Sequence, residues 1–189
     1  MTQSDPKAKL ADAALKLLAK TRWSDLTLAA VARAAKIPLR ELQTLAPAKP
    51  VLIGLMLSGI GRDTTKRYKP EKGSSAHDRL LDVCLTWFET QNARKPAIRV
   101  LYEGLKFDPL ALIDARKDIV SSASWLLVLA ESDTGPALPV RALALAAVMA
   151  RAIPIWLDDD KDMAKTMAQL DTDLSRGETL FRRSKKADG

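Results

Sequence analysis

One cysteine, Cys84, and one histidine, His77, are all that this 189-residue chain contains of two residue types much used as metal ligands and nucleophiles. A single cysteine cannot close an internal disulfide. Cys84 falls in the apolar run of an expected helix, where a thiol is buried and inert. His77 stands beside a serine-rich stretch at a helix start and is expected at the surface. No metal-ligand spacing, phosphate-binding loop or Ser–His–Asp order is present. Asp158, Asp159 and Asp160 are adjacent carboxylates that diverge on one turn, so they read as the start of a helix and not as a cation site. The expectation is therefore a protein without metal, cofactor or enzymatic activity. Aromatics are scarce, at 5%, whereas alanine and leucine abound, which favours helices over strands. No strand-like alternation of useful length and no internal repeat is visible. No apolar run reaches the ~18 residues of a membrane span, and the N-terminus is polar, unlike a secretory signal. These absences lead to an expected all-α, cytoplasmic protein with no stable membrane insertion.

What is present is positive charge, unevenly spread. The chain carries a net +7, and its first 50 residues hold nine lysines and arginines against four acidic residues, a local +5. Such a concentration suits a phosphate-bearing partner, because binding releases counterions; the bland alternative is solubility. A second basic cluster, Arg182-Arg183-Ser184-Lys185-Lys186, reads as a frayed end.

The charge coincides with a recognisable pattern. After an amphipathic helix (Lys7 to Lys20, with Leu10, Ala13, Ala14, Leu17 and Leu18 on one stripe), Thr27 is placed to cap a second helix. Leu28, Val31, Ala32 and Ala35 lie on one face of that helix. Lys36 and Ile37 occupy a turn, and Pro38 suits the first position of a third helix. Pro47 and Pro50 keep that helix short. Two short helices joined by a tight turn form the helix-turn-helix unit, whose second helix enters the major groove of DNA. On it, Arg40 and Gln43 are candidate base readers, since Arg pairs bidentately with guanine and Gln with adenine. Thr27, Lys36, Thr44 and Lys49 are candidate phosphate contacts. A solvated helix face is the alternative for Arg40 and Gln43.

The order Trp23-Ser24-Asp25-Leu26-Thr27, then Val31-Ala32-x-x-Ala35-Lys36-Ile37-Pro38, then Leu42 and Pro47-Ala48-Lys49-x-x-Leu52, resembles the N-terminal domain of TetR-family transcriptional repressors. The resemblance covers roughly the first 55 residues. It implies a three-helix DNA-binding domain (1–47), a connecting helix (48–69) able to carry a signal by its tilt, and a larger helical ligand-binding and dimerisation domain (70–189). It also implies a homodimer formed by the last two long helices. The chain departs from the family at the turn, where Lys36 replaces a usual Gly. It departs again on the third helix, where Gln43 replaces a Tyr that contacts phosphate and Leu45-Ala46 replaces a His-Phe pair.

Beyond the motif, the apolar run Val51 to Leu57 lies in a long helix reaching about Lys69, and residues 69–75 form a turn-rich break. Helices are expected from Ala76 to about Asn92, from Pro96, and from Asp108-Pro109, a capping residue followed by an N1 proline. Glu131 to Pro139 is expected to be a loop. The alanine-rich helix Val140–Trp156 is kinked or ended by Pro154, and a final helix runs from Lys161 to about Arg183. Cys84, Trp87, Phe88, Tyr102, Trp125, Leu129, Met149 and Trp156 are candidates to line an apolar effector pocket, with a filled core as the alternative. Ala144 and Val148, together with the stripe Met163, Met167, Leu170 and Leu174, are candidates for the homodimer interface.

The functional expectation is a dimeric, DNA-binding repressor that responds to an apolar small molecule. The alternative is a relative with the same fold that does not bind DNA, a lipid or isoprenoid binder of the ubiquinone-biosynthesis type. The altered residues around Gln43 and Ala46 suit that alternative, and the amphipathic last helix could lie on a membrane surface.

Overall fold

The computed structural model describes the backbone of residues 5–132 and 135–187, and side chains as far as residue 177. Among the described residues there are nine α-helices and no strand: α1 (Pro6–Leu18), α2 (Leu28–Ala35), α3 (Leu39–Leu45), α4 (Val51–Arg67), α5 (Ala76–Thr90), α6 (Lys95–Leu105), α7 (Pro109–Leu129), α8 (Leu138–Asp158) and α9 (Ala164–Ala187). The all-α expectation therefore holds. The side chains of the basic tail 182–186 lie outside the described residues, as do residues 133–134 of the expected loop.

Packing divides the chain into two units. The first joins Met1–Arg62 to Gln91–Ile119, and the second joins Asp63–Thr90 to Val120–Gly189. The division falls inside α4 and α7. The turn-rich stretch 69–75 separates α4 from α5 but does not separate the units.

In the first unit, α1 starts at Pro6, with the Asp5 carboxylate accepting from the Lys7 amide at 3.0 Å. Its stripe of Leu10, Ala14 and Leu18 is buried against α2 and α6. Thr27 caps α2 as expected, its Oγ1 accepting from the Ala30 amide at 3.2 Å. Helix α2 ends on Lys36, which adopts φ +57°. The Ile37 amide then reaches back to the Ala32 carbonyl at 2.9 Å, closing the helix end in the Schellman manner. Pro38 is the N-cap of α3, one position earlier than expected, and no side chain caps that helix. Its fixed φ and missing N–H suit the capping position equally well. Leu42, Ala46 and Leu52 are buried and fix α3 on its neighbours.

In the second unit, α5 and α8 both pack against α9. Helix α8 begins at Leu138, so the expected loop is shorter than 131–139, with a 3₁₀ turn at Gly135–Ala137. Pro154 does not end α8, which continues to Asp158. Helix α9 begins at Ala164 and not at Lys161. Asp159 still serves its start: Oδ2 accepts from both the amide and the hydroxyl of Thr166 at 2.7 Å. His77 is only 19% exposed, contrary to the surface expectation, with Nε2 lying 2.8 Å from the Asp171 carboxylate. Helix α8 (Gly135–Asp158 with its preceding turn) is long and apolar enough by composition to cross a membrane, although no unbroken apolar run marks it in the sequence.

Candidate nucleic-acid interface

The exposed edge of the first unit is built by α2, its turn and α3. Burial of Val31, Ala32, Ala35, Leu42 and Ala46 turns the opposite faces outward. Arg40, Gln43 and Thr44 are exposed on α3, beside Glu41 and Leu39. Thr27 and Lys36 are exposed at the two ends of α2. Arg33, Lys36 and Arg40 form no ion pair among the described residues, whereas Arg22 is held by Asp25 at 2.9 Å. An edge with three uncompensated cations and a short helix bearing Arg and Gln offers charge for phosphates and donors and acceptors for base edges. Where the family pattern carries an aromatic, Ala46 is fully buried. Leu42 and Leu52 fill the core around it, so α3 is held without that ring.

Lys49 departs from its expected role. Its ammonium donates to the Trp23 carbonyl and lies 3.4 Å from the Ser24 carbonyl. It also sits 4.3 Å from the centre of the Trp23 ring, a cation–π arrangement. Desolvation lowers its pKa, opposed by the charges of Asp108 and Asp25. This amine is engaged within the protein and is not a free phosphate ligand.

Sequence reasoning missed what surrounds that amine. Trp23 is 2% exposed. Its indole Nε1 donates to Asp108 Oδ2 at 2.9 Å, across 85 positions of sequence. Asp108 Oδ1 caps α7 by accepting from the Ala111 amide at 3.1 Å. The bond from the Trp23 indole, and then that from Ala111, hold the Asp108 carboxyl below its ordinary range. The local signal for the cap was legible in Asp108-Pro109; the tryptophan partner has no local signal.

The expected effector pocket does not assemble. Cys84, Phe88 and Trp156 are wholly buried and Trp87 and Met149 nearly so. Phe88 lies edge-on to Trp87 at 4.9 Å and tilted against Trp156 at 5.3 Å between ring centres. These residues fill the core of the second unit. Burial pushes the Cys84 thiol up to about 12. Trp125 points outward, 45% exposed, with its indole donating to Thr65 Oγ1 at 2.8 Å. Leu129 is half-buried, and Tyr102 belongs to the first unit. The second unit instead has a cleft of about 70 Å³ walled by Leu80, Leu127, Leu145 and Leu174, with Arg141 and Asp173 at its polar edge.

The expected dimer residues also separate. Leu170 and Leu174 are buried within the protomer, because α9 turns them onto its own α5 and α8, and Met163 is buried in the turn that precedes α9. Only Met167, at 45%, remains exposed. Ala144 and Val148 are half-buried beside the cleft. An exposed apolar face of this unit lies on α8, where Val140 and Leu143 are 60% and 62% exposed, followed by Ala147 and Ala150.

Comparison with solved structures places this architecture. The chain is similar to a TetR transcriptional regulator from Nitrosomonas europaea, with a TM-score of 0.65 and 17% identity, covering 91% of this chain and 98% of that one. A TetR transcriptional regulator from Rhodococcus sp. RHA1 matches with a TM-score of 0.60 and 13% identity, covering 93% and 96%. A TetR-family regulator from Streptomyces coelicolor matches with 0.53 and 20%, covering 93% and 81%. No protein-family model matches the sequence, and no curated protein matches it. The class that these likenesses define is an all-helical, helix-turn-helix architecture, and the chain has the fold of the TetR transcriptional regulators.

Proposed function

We propose that the protein is a dimeric, cytoplasmic transcriptional repressor that reads operator DNA with α3. The observation that carries this reading is the exposed edge of α2 and α3: Arg40 and Gln43 face outward beside the unpaired cations Arg33 and Lys36. Two such edges in a two-fold dimer would address half-sites about 34 Å apart, one turn of the duplex. Arg40 and Gln43 read bases, while Thr27, Lys36 and Thr44 hold phosphates. A small apolar effector modulates binding by entering the cleft between α5, α7, α8 and α9, whose present volume of about 70 Å³ must grow toward the ~300 Å³ of ordinary ligand sites. The alternative, a lipid or isoprenoid binder without DNA affinity, needs still more room, and the filled core around Phe88 and Trp156 speaks against it.

The test is selection of duplexes from a random library, followed by affinity measurements across salt concentrations. The selected duplex is expected to bind with a steep salt dependence. Arg40→Ala or Gln43→Ala should cost about 1–3 kcal/mol and relax base preference. Lys36→Ala should weaken all sequences alike and reduce the salt slope by about 1. Weak binding that ignores salt and all three changes would reject the reading.

A further inference from the structure

The contacts around Trp23 join four stretches of chain that lie far apart in sequence. The indole comes from the link between α1 and α2, Lys49 from the link between α3 and α4, and Gly104 from the last turn of α6, while Asp108 is the residue that caps α7. Each contact is of a kind that transmits displacement. A Cβ on Gly104 would lie 2.4 Å from Trp23 Cβ, so α6 rests directly on the base of that side chain and cannot shift toward it without moving it. The two Asp108 oxygens are committed separately, one to the α7 amide of Ala111 and one to the indole. At 2.9 Å, the indole bond is lost if the first turn of α7 moves by much more than about half an ångström, since hydrogen bonding fades beyond ~3.5 Å. The Lys49 ammonium, 4.3 Å from the ring centre, grips the backbone carbonyls of Trp23 and Ser24. It thereby ties the residues leading into α2 to those leading out of α3, and the charge of Asp108 helps to offset its desolvation.

We propose that this Trp23–Asp108–Lys49 junction sets the position of the helix-turn-helix, which makes Asp108 a positioning residue for DNA reading and the α6–α7 corner a point from which that reading is controlled. The inference rests on the DNA-reading function above and adds to it the residues through which it is held. Asp108 lies outside the helix-turn-helix and Lys49 spends its amine on backbone, so neither acts by touching nucleic acid.

Three variants of the full chain test it: Asp108→Ala, Asp108→Asn, and Trp23→Phe, which keeps an aromatic ring but removes the indole donor and trims the buried ring. Glu103→Ala, at an exposed pair with Lys106 on the same corner, is the control. Hydrogen exchange and affinity for both the selected duplex and poly(dI-dC) are measured for each. Losing a hydrogen bond to a charged group should speed exchange of the amides of residues 28–45 about tenfold, with α8 and α9 unchanged, in Asp108→Ala and Trp23→Phe. Affinity for the selected duplex should fall about tenfold in the same variants, with poly(dI-dC) binding within about twofold of wild type, because no phosphate contact has been removed. Asp108→Asn, whose single amide oxygen can accept from the indole or from the Ala111 amide but not from both, should recover part of both effects, and Glu103→Ala should behave as wild type. Should Asp108→Ala fail to fold, Trp23→Phe and Asp108→Asn carry the same comparison. Unchanged exchange in residues 28–45, exchange that rises equally throughout the protein, or equal losses on both DNAs would overturn the positioning role. If the wild-type protein selects no sequence, the DNA function fails and the role in reading fails with it. Faster exchange confined to residues 28–45 would in that case still identify the junction as what orders the two helices.

Discussion

At the scale of single residues, the turn between α2 and α3 shows how a side chain can be tolerated against its backbone preference. Lys36 sits at φ +57°, a region that costs a residue with a Cβ about 1 kcal/mol or more relative to glycine. Lys36→Gly should therefore raise stability by about 1 kcal/mol in denaturant unfolding, while lowering the salt slope of DNA binding by about 0.9 through loss of one cation. A variant that gained stability with no change in slope would show that Lys36 meets no phosphate. Cys84 is a second residue-scale case. With its thiol pushed up to about 12 by burial, it should react with a thiol reagent at mildly alkaline pH only after denaturant is added. Asp108 gives a pH signature. Its folded pKa is lowered, chiefly by the Trp23 indole, from an ordinary value of 3.8. Its contribution is therefore complete above that value and disappears as the pH falls through the lower, folded one. The acid-unfolding curve of Asp108→Asn should accordingly be flatter than that of wild type below the ordinary carboxylate range, as followed by circular dichroism.

At the scale of helices, glycine separates contacts that yield from contacts that do not. Gly104→Ala would drive a methyl group into Trp23 Cβ at 2.4 Å, a nearly immobile atom in a buried side chain, and should destabilise by about 1–3 kcal/mol. A Cβ at Gly54 would meet the Asp118 carboxylate at 2.5 Å. That carboxylate ends an exposed side chain that can turn away, and alanine favours a helix interior by ~1 kcal/mol, so Gly54→Ala should leave the melting temperature equal or higher. Thermal melts of the two variants, moving in opposite directions, would check the distinction. The same contrast explains what could be read from the sequence. The Thr27 cap, the short α3 between prolines and the Asp108-Pro109 start of α7 are local signals, written within four residues of where they act. The Lys49 grip on Trp23, the Asp159 cap reaching seven positions forward to Thr166 and the closure of the expected pocket by Phe88 against Trp156 depend on tertiary placement. Residue type and periodicity carry no trace of them. Of the expected stripe Met163, Met167, Leu170 and Leu174, Leu170 and Leu174 face inward from α9 while Met163 precedes the helix and Met167 is exposed, and spacing alone does not say whether a stripe's partner lies in the same chain or in another.

For the whole molecule, that ambiguity separates two kinds of substitution. Leu170 and Leu174 are buried inside the second unit at 0% and 6% exposure, so truncating either to alanine should cost about 2–5 kcal/mol of protomer stability, whatever the oligomeric state. Leu143, 62% exposed on α8, touches little within the protomer. It lies with Val140, Ala147 and Ala150 on a face whose small side chains would let a partner helix come close. The exposed face also bears on the membrane-like composition of α8, of whose most apolar stretch only 33% is buried in the protomer. A second copy of the chain covering that face would remove it from water, and a pair of reading heads at fixed spacing requires such a copy. Leu143→Glu should then leave helix content and melting of the protomer nearly unchanged. It should convert a dimer into a monomer in sedimentation velocity at micromolar concentration, and abolish tight binding to a two-half-site duplex while sparing weak binding to a single half-site. A stable interface of the usual size buries about 1,600 Å² in total, so one carboxylate desolvated near its centre suffices to break it. A wild-type protein that is monomeric at all concentrations, or a Leu143→Glu variant that remains dimeric, would place the subunit contact elsewhere and remove α8 from the account of how two reading heads are held together.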